Sequence, residues 1–157
     1  MPISTATIPP LEILEAAYPV AFTQWALRPD SGGAGQHRGG LGAVYEIELL
    51  EESATAFLFG ERGKFPPPGV AGGGAGAANR FYFDSDGAAA IDGRESPPLV
   101  SKMTGIQLTR GQRVRLETPG GGGYGDAARR SEAHHQHDFD QGYVTDAAGD
   151  KGRGAGS

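Results

Sequence analysis

Four side chains near the end of the chain carry the donors best suited to a metal ion. They are His134, His135, His137 and Asp138, in the run EAHHQHDFD. On a helix, His134 and Asp138 are four apart and share a face with His137. Imidazole and carboxylate donors suit zinc or manganese. A solvated polar face near a frayed helix end is the plainer reading of the same residues. His37 stands beside Arg38 inside a glycine loop, where the pair would either face a substrate or hydrogen-bond the loop. Nucleotide chemistry is poorly served. A P-loop ends in Gly-Lys followed by Ser or Thr, because that hydroxyl ligates magnesium. Here Gly63-Lys64 runs into Phe65, and Leu58 stands where the first glycine belongs. A G-x-G-x-x-G match at Gly120, Gly122 and Gly125 follows a strand. In a run of four glycines that match is nearly automatic, and no apolar helix pattern follows it. No G-x-S-x-G elbow is present, and Ser31 in PDSGG has no recognisable triad partners. The paired carboxylates Glu51–Glu52 and Asp84/Asp86 sit in turn-rich sequence and read as solvating groups. No catalytic or cofactor-binding residue is assigned from pattern alone.

The elements that must position these groups are short. Pro9 to Pro19 reads as a helix: Pro10 suits its first turn, Leu11 and Leu14 repeat at helical spacing, and Pro19 stops it. Strands are expected at Val20–Leu27, Ala43–Leu50, Thr55–Phe59, Asn79–Phe83, Leu99–Met103 and Val114–Thr118. DSDG at Asp84–Gly87 is a turn by composition. Ala127–Asp138 is expected to be a short polar helix. Three glycine loops separate these elements: 32–42, 69–76 and 120–125. The fold class is therefore mainly β, with long Gly-rich loops and one or two short helices. Residues 1–148 are expected to form a single domain, with 149–157 a flexible tail.

Composition explains why such a domain needs help. Of 157 residues, 27 are glycine and 11 proline, while Leu, Ile, Val and Phe together make only 29. That is below the roughly one-fifth share expected of a self-sufficient core. A net charge of −5 is too small to hold the chain open by repulsion. The absence of cysteine excludes disulfides, thiolate zinc sites and cysteine nucleophiles, and fits a reducing cytoplasm. The acidic balance and the lack of a basic stripe argue against nucleic acid as a partner. No apolar run approaches the about 20 residues of a membrane span, and the N-terminal sequence lacks a signal-peptide pattern. The glycines are clustered rather than periodic, which excludes collagen.

Several blocks, in order, resemble the hydantoinase B/5-oxoprolinase family. They are LEILEAAYPV, RPDSGGAGQHRGGLGAVYEIELL, PPPGVAGGGAGAANRF, LTRGQRVRLETPGGGGYGDAARR and the closing DFDQGYVTDAA. The sequence departs from the family's usual pattern at Pro67-Pro68-Gly69, at Gly111-Gln112 and at Ala127. The His134–His137 cluster is not one of the family's blocks. The resemblance implies the C-terminal portion of a longer polypeptide, made here as a separate small subunit beginning at its own methionine. It implies larger hydantoinase A- and B-type subunits as partners in a cytoplasmic hetero-oligomer. ATP with Mg or Mn would act in the complex, and no cofactor is expected in this chain beyond zinc at the histidine cluster. The family includes biotin-independent, ATP-dependent carboxylases of ketones such as acetophenone, which make a β-keto acid. It also includes ATP-dependent hydantoinases and 5-oxoprolinases. The glycine loops would pack against the large subunit, and the chain alone would fold poorly. A metal-binding assembly protein is the reading from a different class.

Overall fold

The alternation of Val44, Glu46 and Glu48 with Tyr45, Ile47 and Leu49 gives β2 (Ala43–Leu49) two unlike faces. In a computed structural model of the chain, which describes residues 9–84 and 102–145, this strand lies inside a four-stranded antiparallel sheet. The order is β1 (Val20–Leu27), β2, β6 (Arg113–Glu117) and β4 (Arg80–Phe83). Glu46 faces Arg115 and Glu48 faces Arg113 across β2 and β6, so opposite charges share one face. Tyr45, Ile47, Leu116, Val114, Phe81 and Phe83 take the other face through their own register positions.

A second, two-stranded antiparallel ribbon pairs β3 (Ser53–Phe59) with β5 (Lys102–Thr109). It prolongs the β2–β6 pair. The Leu49 N–H donates to the Gln112 carbonyl at 2.9 Å, and the Gly111 N–H donates back to Leu49 at 2.8 Å. Gly111 turns this corner at φ +84, a conformation that costs glycine little. Where sheet and ribbon meet, Leu49, Leu58, Phe81, Phe83, Ile106 and Leu108 form the buried core, with Val114 and Leu116 packed against it. It is a small core, as the shortage of large apolar residues implies.

α1 (Leu11–Ala17) stops before Pro19 and packs on β1. Its Glu15 accepts the Phe22 N–H of that edge strand. The expected helix at Ala127–Asp138 is two pieces. A single 3₁₀ turn at Ala127–Arg129 is capped by the Asp126 carboxylate, which accepts from the Ala128 N–H. α2 (Glu132–Asp140) then starts at Ser131, whose hydroxyl accepts from the His134 N–H. The fold is mainly β with two short helices, as the sequence implies. β5 runs from Lys102, later and longer than the strand expected at Leu99–Met103, most of which lies outside the described residues. The rest of the DSDG turn beyond Asp84 and the tail at 149–157 also lie outside them. No helix among the described residues is long and apolar enough to cross a membrane.

Candidate functional site: a glycine bundle and its polar clasp

The three glycine loops are one structure. Segments 32–42, 69–76 and 120–125 run beside one another and hydrogen-bond between segments. Gly33 donates to Gly121 at 2.8 Å, Gly74 to Ala34 at 2.7 Å, and Gly123 to Gly74 at 2.9 Å. His37 and Tyr124 exchange both backbone bonds, at 3.0 and 2.9 Å. The segments approach so closely that a methyl group on Gly39 would overlap the Gly121 carbonyl. One on Gly122 would overlap the Pro68 carbonyl, and one on Gly73 the Gly123 carbonyl. The steric reason is the one that puts glycine at a crowded triple-helix axis: only a residue without Cβ lets backbones touch. Among the described residues these glycines pack closely on one another.

Polar side chains lock the bundle to the sheet and to α2. Ser31 is buried; its hydroxyl donates to the Arg28 carbonyl at 2.6 Å and accepts from the Gly42 N–H at 2.8 Å. The Arg28 guanidinium donates to the carbonyls of Ala78 at 2.7 Å and Thr118 at 3.1 Å, and pairs with Glu117 at 3.1 Å. It thereby ties the exits of β1 and β6 to the entry of β4. Burial pushes the Arg28 pKa down, and the Glu117 charge opposes that.

At the other end, Asp138 is the one buried residue of α2. Its carboxylate accepts from Arg38 Nε at 3.0 Å and from Arg130 at 2.6 Å. Burial alone would raise its pKa; the hydrogen bonds and charges of Arg38 and Arg130 outweigh this and hold it low. Arg38 also lies 5.3 Å from the centre of the Tyr143 ring. Asp30 completes the clasp by accepting from the Thr145 hydroxyl at 2.7 Å and its N–H at 2.9 Å.

The charged face of the sheet is likewise satisfied internally. Glu46 is buried, accepts from the Thr23 hydroxyl at 2.9 Å, and pairs with Arg113 at 3.5 Å and Arg115 at 3.9 Å. Arg115 also reaches Glu117 at 3.1 Å and Gln24 at 2.8 Å. These groups brace strands; none is poised as a lone base or nucleophile.

The residues singled out by sequence are distributed differently. His134, His135 and His137 are exposed on α2, while Asp138 turns inward to its two arginines. Among the described residues, no group of three or more His, Cys, Asp or Glu is arranged to hold a metal. His37 lies beside the Tyr124 ring at 6.1 Å, and its neighbour Arg38 belongs to the clasp. The N–H groups of Gly121, Gly123, Tyr124 and Gly125 all donate to protein carbonyls and are not turned toward a ligand. Glu46 and Arg28 escaped sequence reasoning, because each takes its meaning from residues far away in the chain.

The hydantoinase B/oxoprolinase family model matches residues 1–127. The beta subunit of caprolactamase from Pseudomonas jessenii is 38% identical over 138 residues, covering 86% of this chain and 23% of that one. The crystal structure of the ATP-dependent caprolactamase of Pseudomonas jessenii superimposes with a TM-score of 0.74 at 30% identity, over 88% of this chain and 24% of its own. A nucleotide-free acetone carboxylase reaches a TM-score of 0.75 at 21% identity, over 92% of this chain and 22% of its own, a likeness of fold. The chain thus spans 20% and 23% of the length of the first curated relatives it matches. The family-model match over residues 1–127, with 38% identity to a relative across 86% of the chain, places the chain in the hydantoinase B/oxoprolinase family.

Proposed function

We propose that the chain is part of an ATP-dependent enzyme that opens a cyclic amide of the lactam, hydantoin or 5-oxoproline kind. Its own part is to brace the enzyme and wall its active site. The observation that carries this reading is the 38% identity to a caprolactamase beta subunit across 86% of the chain. The ion pairs that Arg28, Glu46, Arg115 and Asp138 make within the chain support a bracing role. ATP, with Mg or Mn, would be held elsewhere in the enzyme; the N–H groups of Gly121, Gly123 and Gly125 are engaged by protein carbonyls. The partners would be larger hydantoinase A- and B-type subunits in the cytoplasm.

The likeness in fold to an acetone carboxylase favours a second reading, carboxylation of a ketone such as acetophenone. One assay of the assembled enzyme separates the two. ADP release driven by a lactam, hydantoin or 5-oxoproline, with a ring-opened product, supports the first. ADP release that needs both acetophenone and bicarbonate, yielding benzoylacetate, replaces it with the second. A metal-binding assembly role for His134, His135, His137 and Asp138 would require Asp138 to leave its two arginines.

A further inference from the structure

Two rows of side chains cross the sheet on its apolar face. Trp25 stands opposite Tyr45, Tyr45 opposite Leu116, and Leu116 opposite Phe81. Phe22, Ile47, Val114 and Phe83 make the second row in the same way. At the β4 end both rows are sealed, because Phe81 and Phe83 are buried in the core that sheet and ribbon share. At the β1 end they are open. None of Phe22, Trp25, Tyr45 and Ile47 belongs to that core. Trp25 is 37% exposed, and Leu27, two positions further along the same face, is 57% exposed. The rings pack on one another instead: Trp25 stacks on Tyr45 with centres 5.0 Å apart, and Phe22 stands edge-on to Trp25 at 6.2 Å. α1 packs on β1 but buries none of its own residues, so it seals little. β1 is also the sheet's outer strand, and it carries no charged residue that would discourage association.

We propose that the open half of this face, formed by Phe22, Trp25, Leu27, Tyr45 and Ile47, docks on an apolar surface of the larger hydantoinase B-type subunit. The chain covers 23% of the caprolactamase beta subunit, so most of a polypeptide of that type has no counterpart here. A unit cut from a larger fold meets the rest across the apolar surface that its own core leaves over. The five side chains are uncharged, which matches an apolar partner and offers nothing to an anionic lipid or a nucleic acid. Trp and Tyr are the residues that carry such contacts, because they bury a large area while few torsions are frozen. The proposal rests on the reading of this chain as part of a larger hydantoinase-type enzyme, and not on which reaction that enzyme performs.

Trp25 is the only tryptophan of the chain. Incorporated as fluorotryptophan, it gives a single fluorine NMR signal, and the larger subunit is left unlabelled. The decisive reading is taken in the complex. A ring still in contact with water shifts between light and heavy water, whereas a docked ring does not; we expect the docked result. Leu27→Lys puts an unpaired charge into the contact and should weaken the complex at least about tenfold. Trp25→Ala should weaken it about thirtyfold. A complex in which the Trp25 signal keeps its solvent shift overturns the docking face and leaves the larger assembly standing. No complex between the unaltered chain and the larger subunit overturns both. A solvent shift already lost as this chain is concentrated alone, and unchanged on adding the larger subunit, assigns the face to a second copy and overturns the proposal. The fluorine reading needs no substitution, so it decides even if Trp25→Ala fails to fold.

Discussion

Arg38 and Asp138 stand 100 positions apart in sequence and 3.0 Å apart in space, Nε to Oδ2. This contact, shared with Arg130, is what α2 has in place of an apolar face. Every residue of the helix except Asp138 is exposed. The helix is therefore fastened by charge. Replacing Asp138 by Asn leaves two arginines facing a neutral group in a mostly buried site. We expect a loss of about 3 kcal/mol at neutral pH. The pH dependence has a definite sign. The folded-state pKa of Asp138 is depressed. Its contribution is thus complete above the unfolded carboxylate value of about 3.9 and is lost as pH falls through the folded value. Thermal midpoints of the unaltered chain and Asp138→Asn should be well separated at pH 7 and converge in acid. A gap that stays constant with pH would refute the ionic account.

Adjacent glycines in the bundle should respond in opposite directions. Gly39→Ala pushes a methyl into the Gly121 carbonyl, whereas Gly40 has nothing within 4 Å of a built Cβ. Gly39→Ala, and equally Gly122→Ala, should destabilise by about 1–3 kcal/mol, because backbone cannot rotate out of the way as a side chain does. Gly40→Ala should be neutral or stabilise by up to about 1 kcal/mol, by restricting the unfolded chain. Urea unfolding midpoints of the three variants decide the matter; a Gly39→Ala midpoint equal to that of Gly40→Ala would contradict the packing described.

Arg28 gathers acceptors from Ala78, Thr118 and Glu117. A lysine keeps the charge but has no planar fork to reach all three. Arg28→Lys should therefore cost about 1.5–3 kcal/mol in chemical unfolding. A cost no larger than that of a typical exposed ion pair, up to about 1 kcal/mol, would mean that the charge alone matters.

Phe57 is 60% exposed on the outward face of β3. An aromatic ring so placed contributes little to this fold and invites association. Phe57→Ser should reduce self-association in light scattering while leaving the unfolding midpoint within about 0.5 kcal/mol. A large drop in the midpoint would show that the ring is buried within this chain after all.

The sheet was readable because its strands carry side-chain signals. Val20–Leu27 falls where the sequence puts it, and the alternation in VYEIEL and RVRLE marks β2 and β6. β5 was blurred by Gly105, which sits at φ +72 opposite the register shift between Ala56 and Leu58. A bulge breaks alternation without breaking the strand. The helix at the end divides because Ser131 caps a new one, a signal hidden within an evenly polar stretch. The glycine bundle left no pattern to read. Glycine has no side chain to mark a face, and close approaches such as Gly39 to Gly121 and Gly73 to Gly123 join positions tens of residues apart. Asp138 was visible as a carboxylate, but its arginines were not visible as its partners.

The bundle also has a kinetic consequence. Its contacts join residues such as Gly33, Gly74 and Gly123, and no apolar side chain rewards the chain for bringing them together early. Closing such long loops is entropically costly before any bond forms. The sheet's apolar cluster must therefore nucleate first, and the glycine segments dock late. Substitutions at Gly39 or Gly122 should then speed unfolding while leaving the folding rate nearly unchanged, the signature of interactions absent from the transition state. The part of the molecule richest in the simplest residue would be the last to assemble and the first to let go.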